Sequence, residues 1–252
     1  MKKVQVKNLV FNEGPPKICV PLIGRTDKQI SDEIKHLNNI CFDLIEFRVD
    51  FYDKVDNFSM VVDMLKKIRF SVNKPILFTY RTKKEGGAHE MSEENYSILN
   101  SIAIESGFID IIDIEFFSTK EVINKLISLA KQHNVKVIMS NHDFNKTPSK
   151  DELVNRLVKM QQYDADITKI AVMPTSEDDV LTLLSATLEM KNIKSDRPFI
   201  TISMGPLGVI SRLTGELFGS CMTFASAKDV SAPGQLNVED VNKILNLLHK
   251  VF

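Results

Sequence analysis

The sequence has few of the signals that mark exported, membrane-spanning or nucleotide-binding chains. Its three cysteines, Cys19, Cys41 and Cys221, are odd in number and widely spaced, which argues against a disulfide framework or a cysteine-built zinc site. All three stand in apolar surroundings and are expected to be reduced core residues of a cytoplasmic protein. No apolar run approaches the length of a membrane helix. The start, "MKKVQVKNLVF", is too short and too broken by polar residues for the core of a secretory leader. With 32 Lys and Arg against 33 Asp and Glu, the formal net charge is -1. Such a balance gives no electrostatic reason to expect nucleic acid or an anionic membrane as a partner. No GxGxxG follows a strand-like run, and no phosphate-loop lysine motif occurs. No His/Cys spacing suggests a metal.

What the sequence does have is alternation. Strand-like apolar runs cover 17–24, 42–50, 75–81, 109–115, 135–143, 167–172, 198–204 and 221–226. Between them lie amphipathic segments at 26–40, 57–70, 92–106, 118–133, 149–163 and 175–191. "TSEDDVLTLLSATLEMK" shows the helical pattern: a Thr/Ser start, early acids, then apolar residues three and four apart. Eight strand–helix repeats about 30 residues apart are the pattern of a closed (β/α)8 TIM barrel. An open doubly wound sheet competes, but it uses fewer strands and carries a nucleotide fingerprint at its first turn. The leading "KVQVKNLVFNEG" alternates like a β-hairpin and is expected to plug the N-terminal mouth of the barrel. No linker or change of composition divides the chain, so residues 1–252 are expected to form one domain.

One strand poses a question. "ADITKIAVMP" places Lys169 among Ile167, Ile170, Ala171 and Val172, and a lysine is almost never buried without a partner or a chemical task. A strand end where the lysine reaches solvent is the ordinary explanation. Other strand ends bear on it. "EFRVD" supplies Glu46, Arg48 and Asp50; "YRTKKEGG" supplies Arg81 and Glu85; "DIIDIE" ends in Asp113 and Glu115. "IMSNHD" supplies Asn141, His142 and Asp143, "GVISRL" supplies Arg212, and "SAPGQ" supplies Ser231 and Gln235. Singly these have plain readings, such as a Glu46–Arg48 salt bridge or a loop-starting turn at His142. Together they put charge at nearly every carboxyl end of the barrel strands, where barrel enzymes keep their active sites. Folding does not require that arrangement, because desolvating each charge costs several kcal/mol unless it is paired or binds something.

A lysine amine with its ordinary pKa is only about 0.04% free base at pH 7. An apolar strand, together with Arg48, Arg81 and Arg212 if they face the same cavity, would lower that pKa and expose a nucleophile. Such a lysine forms an imine with a ketone, and the protonated imine acidifies the adjacent C–H. His142 suits the base that takes this proton, and Arg212 suits a substrate carboxylate.

The motifs "EFRVD", "EGG", "MSNHDF.KTP", "KIAVMP", "GVISRL.GE.FGS" and "SAPGQ", in this order along the chain, resemble type I 3-dehydroquinate dehydratase. The resemblance implies a (β/α)8 barrel, usually a homodimer, that needs no metal or organic cofactor. It implies syn dehydration of 3-dehydroquinate to 3-dehydroshikimate, a step of the shikimate pathway. By the same resemblance Lys169 forms the imine, His142 is general base and acid, and Glu85 orients the histidine. Glu46, Arg48, Arg81, Arg212, Ser231 and Gln235 would bind the substrate. Two positions depart from the pattern. Pro21 stands where many relatives carry serine, which removes any hydroxyl contact there, and Pro206 is expected to stiffen the loop before Arg212. A class I aldolase would share Lys169 but break a carbon–carbon bond. A non-catalytic sensor of quinate-like acids would be expected to have lost Lys169 or His142, and both are present.

Overall fold

The structure, a computed structural model, describes residues 2–38 and 40–251. Val4–Val6 (β1) and Leu9–Phe11 (β2) pair antiparallel, with Val4 opposite Phe11. The chain then alternates between strand and helix: β3 (Lys17–Leu22), α1 (Asp27–Leu37), β4 (Leu44–Arg48), α2 (Phe58–Ser71), β5 (Ile76–Thr79) and α3 (Glu93–Glu105). It continues through β6 (Ile111–Glu115), α4 (Lys120–Gln132), β7 (Lys136–Asp143), α5 (Lys150–Gln162), β8 (Ile167–Val172) and α6 (Glu177–Glu189). Last come β9 (Phe199–Ser203), the short α7 (Val209–Leu213) and α8 (Gly215–Phe218), β10 (Met222–Phe224) and α9 (Val238–His249).

Many of the helices start where the sequence offers a cap. Thr26 accepts from Gln29 N–H while the Gln29 side chain bonds back to the Thr26 N–H, and Asn57, Ser92, Ser149, Ser176 and Asn237 cap α2, α3, α5, α6 and α9. Each cap satisfies an otherwise orphaned N–H and is worth about 1 kcal/mol. β3 to β10 are parallel, in the order β10-β3-β4-β5-β6-β7-β8-β9. A bridge between Phe199 and Ser220, with the Cys221 N–H donating to Phe199 O at 2.9 Å, brings the two ends of the sheet together. This is the expected (β/α)8 barrel.

Side chains alternate across each strand, so the barrel has two separate cores. Outward residues such as Ile45, Phe47, Ile112, Ile170 and Val172 pack under the helices. Inward, Cys19, Leu44, Leu77, Ile111, Ile138, Ile167, Ile200 and Met222 form a floor that is completed by Val4, Val6 and Phe11 of the hairpin. The hairpin therefore closes the N-terminal end, as its alternation suggested. Phe11 is fully buried there, and truncating it to alanine would cost about 3–5 kcal/mol.

Two local features refine the sequence reading. Cys19 and Cys221 are buried, but Cys41 is exposed, because it lies in the turn between α1 and β4. Pro21 is accommodated inside a barrel strand. Cys19 O accepts from Ala225 N at 3.0 Å, and beyond that point β10 has ended. With no N–H to donate, Pro21 cannot carry the ladder past that bond, and the pairing with β10 stops there.

Candidate active site

Two residues above the apolar floor, the inward positions turn polar: Glu46, Thr79, Asp113, Ser140 and Lys169. The next inward positions are Arg48, Arg81, Glu115 and His142. Here the strands open into a cavity. Glu46, Arg48, Arg81, Glu85, His142, Lys169, Arg212, Ser231 and Gln235 all line it. Lys169 is thus no strand end reaching for solvent. It is 4% exposed, with its Nζ 4.3 Å from the centre of the Phe224 ring and 3.9 Å from Asp113 Oδ2. Burial is the largest influence on its pKa and pulls it below the ordinary value; Asp113 and Glu46 oppose this, and Arg81 adds to it. Of the three arginines expected to depress the lysine, only Arg81 is among the main influences.

The other charges sort by how completely the protein pairs them. Arg48 forms a two-pronged bond with Asp50, Nε to Oδ1 and Nη2 to Oδ2, both 2.8 Å. Its partner is therefore not Glu46, which instead accepts from Thr79 Oγ1 at 2.8 Å. Arg81 is held by Asp113 at 2.9 Å, Glu115 at 2.9 Å and Ser140 Oγ at 3.0 Å, with Glu85 at 3.6 Å. Burial pulls its pKa down, but these carboxylates outweigh that and the net shift is upward. Arg81 has little capacity left for a ligand and mainly organises the surrounding acids.

Glu85 ends a short turn whose next residue, Gly86, sits at φ +85°, a conformation open to glycine and strained for other residues. The turn aims Glu85 at the end of β7. One carboxylate oxygen accepts from Asn141 Nδ2 at 3.1 Å, and the other meets the His142 N–H at 2.8 Å and His142 Nδ1 at 3.1 Å. Burial, then Glu115, raises the Glu85 pKa to about 8. Burial, then Arg81, Lys169 and Arg48, pushes His142 well below its ordinary value. With Nδ1 engaged by Glu85, the imidazole keeps Nε2 for the cavity.

Arg212 is different. The chain turns at the end of β9, where Ser203 N–H donates to Ser211 Oγ at 2.9 Å, and this bond fixes α7 over the cavity. Arg212 is 2% exposed, yet among the described residues its guanidinium bonds only a carbonyl, that of Pro233, at 2.9 Å from Nη2. Its Nε has no partner. Burial alone lowers its pKa to about 10. A desolvated guanidinium facing a cavity without a carboxylate partner has the charge and free donors to take an anion.

Residues 18–251 match the family model described as type I 3-dehydroquinase. The chain belongs to that family. The 3-dehydroquinate dehydratase of Clostridioides difficile is 52% identical over 99% of this chain and 98% of its own length, and that of Clostridium novyi is 51% identical over the whole of both. A crystal structure of the Clostridium difficile type I enzyme, described with covalently modified comenic acid, superposes with a TM-score of 0.97, covering 100% of this chain and 99% of that one. The Enterococcus faecalis 3-dehydroquinate dehydratase superposes at 0.91, with 43% identity and coverage of 97% and 98%. A 3-hexulose-6-phosphate synthase, 14% identical with a TM-score of 0.58, shares the fold alone.

In this type I 3-dehydroquinase chain a loop after β10 completes the cavity. The Ser231 N–H donates to Gln235 Oε1 at 2.9 Å, and Gln235 Nε2 donates to Ser231 Oγ at 2.8 Å. The loop is tied to the barrel through Pro233 O, which accepts from Gly205 N at 3.2 Å and from Arg212. Phe224, which stacks on Lys169, was missed in the sequence because an aromatic in a strand reads as core. Asp50, Asp113 and Glu115 stood out as strand-end acids, but only the register shows that each faces an arginine. Asp143 does not line this cavity; its Oδ1 accepts from Asn145 and Lys146 N–H, the plain turn chemistry. Among the described residues no group of three His, Cys, Asp or Glu is placed to hold a metal ion, and no helix is long and apolar enough to cross a membrane.

Proposed function

We propose that this chain dehydrates 3-dehydroquinate to 3-dehydroshikimate by syn elimination through an imine on Lys169, within one barrel domain. The observation that carries the reading is a buried amine with a lowered pKa, sharing one cavity with a buried imidazole and a guanidinium that lacks a carboxylate.

Each step follows from those groups. The Lys169 amine attacks the substrate ketone; with one proton taken up, the carbonyl oxygen leaves as water and a protonated imine remains. His142 Nε2 removes a proton from the carbon next to the imine, and the electron pair moves toward nitrogen as an enamine. The imidazolium then gives that proton to the hydroxyl on the next carbon. The C–O bond breaks, water leaves, and the electrons return to restore the imine, now conjugated. Water hydrolyses it, releasing product and the free amine. Glu85 holds Nδ1 and so fixes the ring with Nε2 toward the substrate, as an acidic partner does for a catalytic histidine. Arg212 takes the substrate carboxylate, with Ser231 and Gln235 beside it; Glu46 and Arg48 meet ring hydroxyls, and Arg81 acts through the acids it holds. The covalently modified ligand described for the Clostridium difficile relative accords with a nucleophile in such a site. No metal or organic cofactor enters these steps. A homodimer in the cytoplasm, carried over from the family resemblance, completes the proposal.

Borohydride added during turnover tests it. The expected result is loss of activity, with a substrate- or product-derived mass on the peptide containing Lys169, and neither adduct nor turnover in Lys169→Ala. A mass on another lysine, or an active enzyme that cannot be trapped, refutes the assignment. Cleavage of a carbon–carbon bond in place of loss of water would point to aldolase chemistry.

A further inference from the structure

Asp113 is fully buried, and its two carboxylate oxygens are treated unequally. Oδ1 accepts from Ser140 Oγ at 2.7 Å and meets Arg81 Nη2 at 2.9 Å. Oδ2 accepts from no group, an uncommon state for a buried carboxylate oxygen and one that costs free energy. Lys169 Nζ lies 3.9 Å from it, beyond hydrogen-bonding range. Nζ also lies 4.3 Å from the centre of the Phe224 ring, which offers no lone pair. The groups acting on Lys169 from the surrounding strands are Cys19, Glu46, Arg81 and Asp113, and the lysine in turn acts on His142. Glu46 already holds Thr79, and Arg81 is occupied by acids. Asp113 Oδ2, wholly unpaired and buried, is therefore an acceptor with spare capacity beside the Lys169 nitrogen.

Granted the imine chemistry proposed above, on which this rests, we infer that Asp113 is the counter-ion of the protonated imine, its free Oδ2 accepting the iminium N–H. The attacking amine must be neutral and gains nothing from a nearby negative charge. The imine must be protonated to withdraw electrons, and it gains a great deal. An oxygen held just too far to bond the resting ammonium, but able to meet an N–H once the nitrogen shifts by about an ångström, favours the intermediate over the free enzyme. Burial frees the amine, and Asp113 then keeps the imine charged through proton abstraction and loss of water. Selective stabilisation of this kind raises kcat and leaves KM nearly alone.

The test compares wild type with Asp113→Asn, which keeps the shape and removes the charge; Arg81 retains Glu115 and Glu85. Both are treated with 3-dehydroquinate and borohydride from neutral to alkaline pH, since borohydride reduces the protonated imine. The expected variant still forms the adduct on Lys169, but the alkaline limb of trapping moves down by about one pH unit or more. Its kcat falls about 10²-fold, the loss typical of one preorganised electrostatic partner, with KM little changed. A merely structural role would not move the alkaline limb. Adduct formation in wild type together with an unchanged limb and kcat in Asp113→Asn overturns the counter-ion and leaves the imine standing. No adduct in wild type overturns the imine, and the counter-ion with it. If circular dichroism shows that the variant does not fold, the vibrational spectrum of the unreduced wild-type adduct decides. A C=N stretch that shifts in deuterated water well into the alkaline range supports Asp113, and one with no shift at neutral pH overturns it.

Discussion

Replacing Arg212 with methionine should make the free protein more stable and the enzyme useless. The guanidinium is 2% exposed, has no carboxylate partner and bonds one carbonyl. A pKa lowered from 12.5 to about 10 corresponds to about 3 kcal/mol of cost to the charged form. The bond to Pro233 O, worth about 1.5 kcal/mol or somewhat more for a charged donor, offsets part of that. The balance is about 1–2 kcal/mol in favour of a neutral side chain of similar reach, in line with other buried charges replaced by apolar groups. For a chain of this size that raises Tm by about 2–8 °C. Because the folded value of this base lies below its unfolded value, the cost is fully present at neutral pH and fades only as pH rises above about 10. The gain should therefore hold across the neutral range. Calorimetry with and without quinate, a carboxylate that has no ketone to react, completes the test. Quinate should raise the Tm of wild type and leave Arg212→Met unmoved, narrowing or reversing the order of stability, while kcat/KM falls by a factor set by the lost carboxylate pair, about 3 kcal/mol. An Arg212→Met protein less stable than wild type and still stabilised by quinate would refute the reasoning.

His142→Ala should still form an imine on Lys169 but lose about 10²–10⁴-fold or more in turnover, so intact mass after borohydride should show accumulated adduct; near-normal turnover would transfer the base to Glu85. Glu85→Gln should flatten the fall of stability with rising pH. The folded Glu85 value, about 8, lies above that of a free carboxyl, so its contribution is full below the unfolded value and is lost as pH climbs through about 8; parallel Tm-versus-pH curves for the two proteins would contradict this. Gly234 has φ +76°, and an added Cβ would strike the Gly205 carbonyl, so Gly234→Ala should displace the 228–237 loop, release Pro233 from Arg212 and raise KM; limited proteolysis of the loop with and without quinate reads the displacement. Activity should survive strong chelation, and loss with EDTA that a divalent metal restores would contradict the mechanism.

Much of this architecture is legible in the amino-acid sequence. The strand runs and the Ser, Thr and Asn caps are local signals, and the structure places the ends of α1 to α6 within three residues of where caps and periodicity put them; α7, α8 and α9 had no bounds from the sequence. The nine candidate residues that line the cavity could be collected because barrel strands deliver their carboxyl ends to one face. Pairing was not legible. Arg48 had Glu46 and Asp50 equally near in sequence, and the strand's curl into its final turn decided for Asp50. The solitude of Arg212 and the idle oxygen of Asp113 are absences of contact, set by a register that joins strands tens of residues apart. Cys41 misled because its neighbours Ile40 and Phe42 are apolar while the turn points the thiol outward.

The greasy floor built by the hairpin has a consequence for traffic. With Val4, Val6 and Phe11 sealing one end of the barrel, polar molecules have no passage through it, and the site behaves as a cup with its rim at the loops. In the proposed cycle, imine formation sets free one water, elimination sets free a second, and hydrolysis takes one back. The molecule shed first can therefore serve as the reagent for the last step without the rim ever opening to bulk solvent. Per turnover the cup then exchanges one substrate for one product and a single water, all by the same route. A second substrate must wait at the rim until the product has gone.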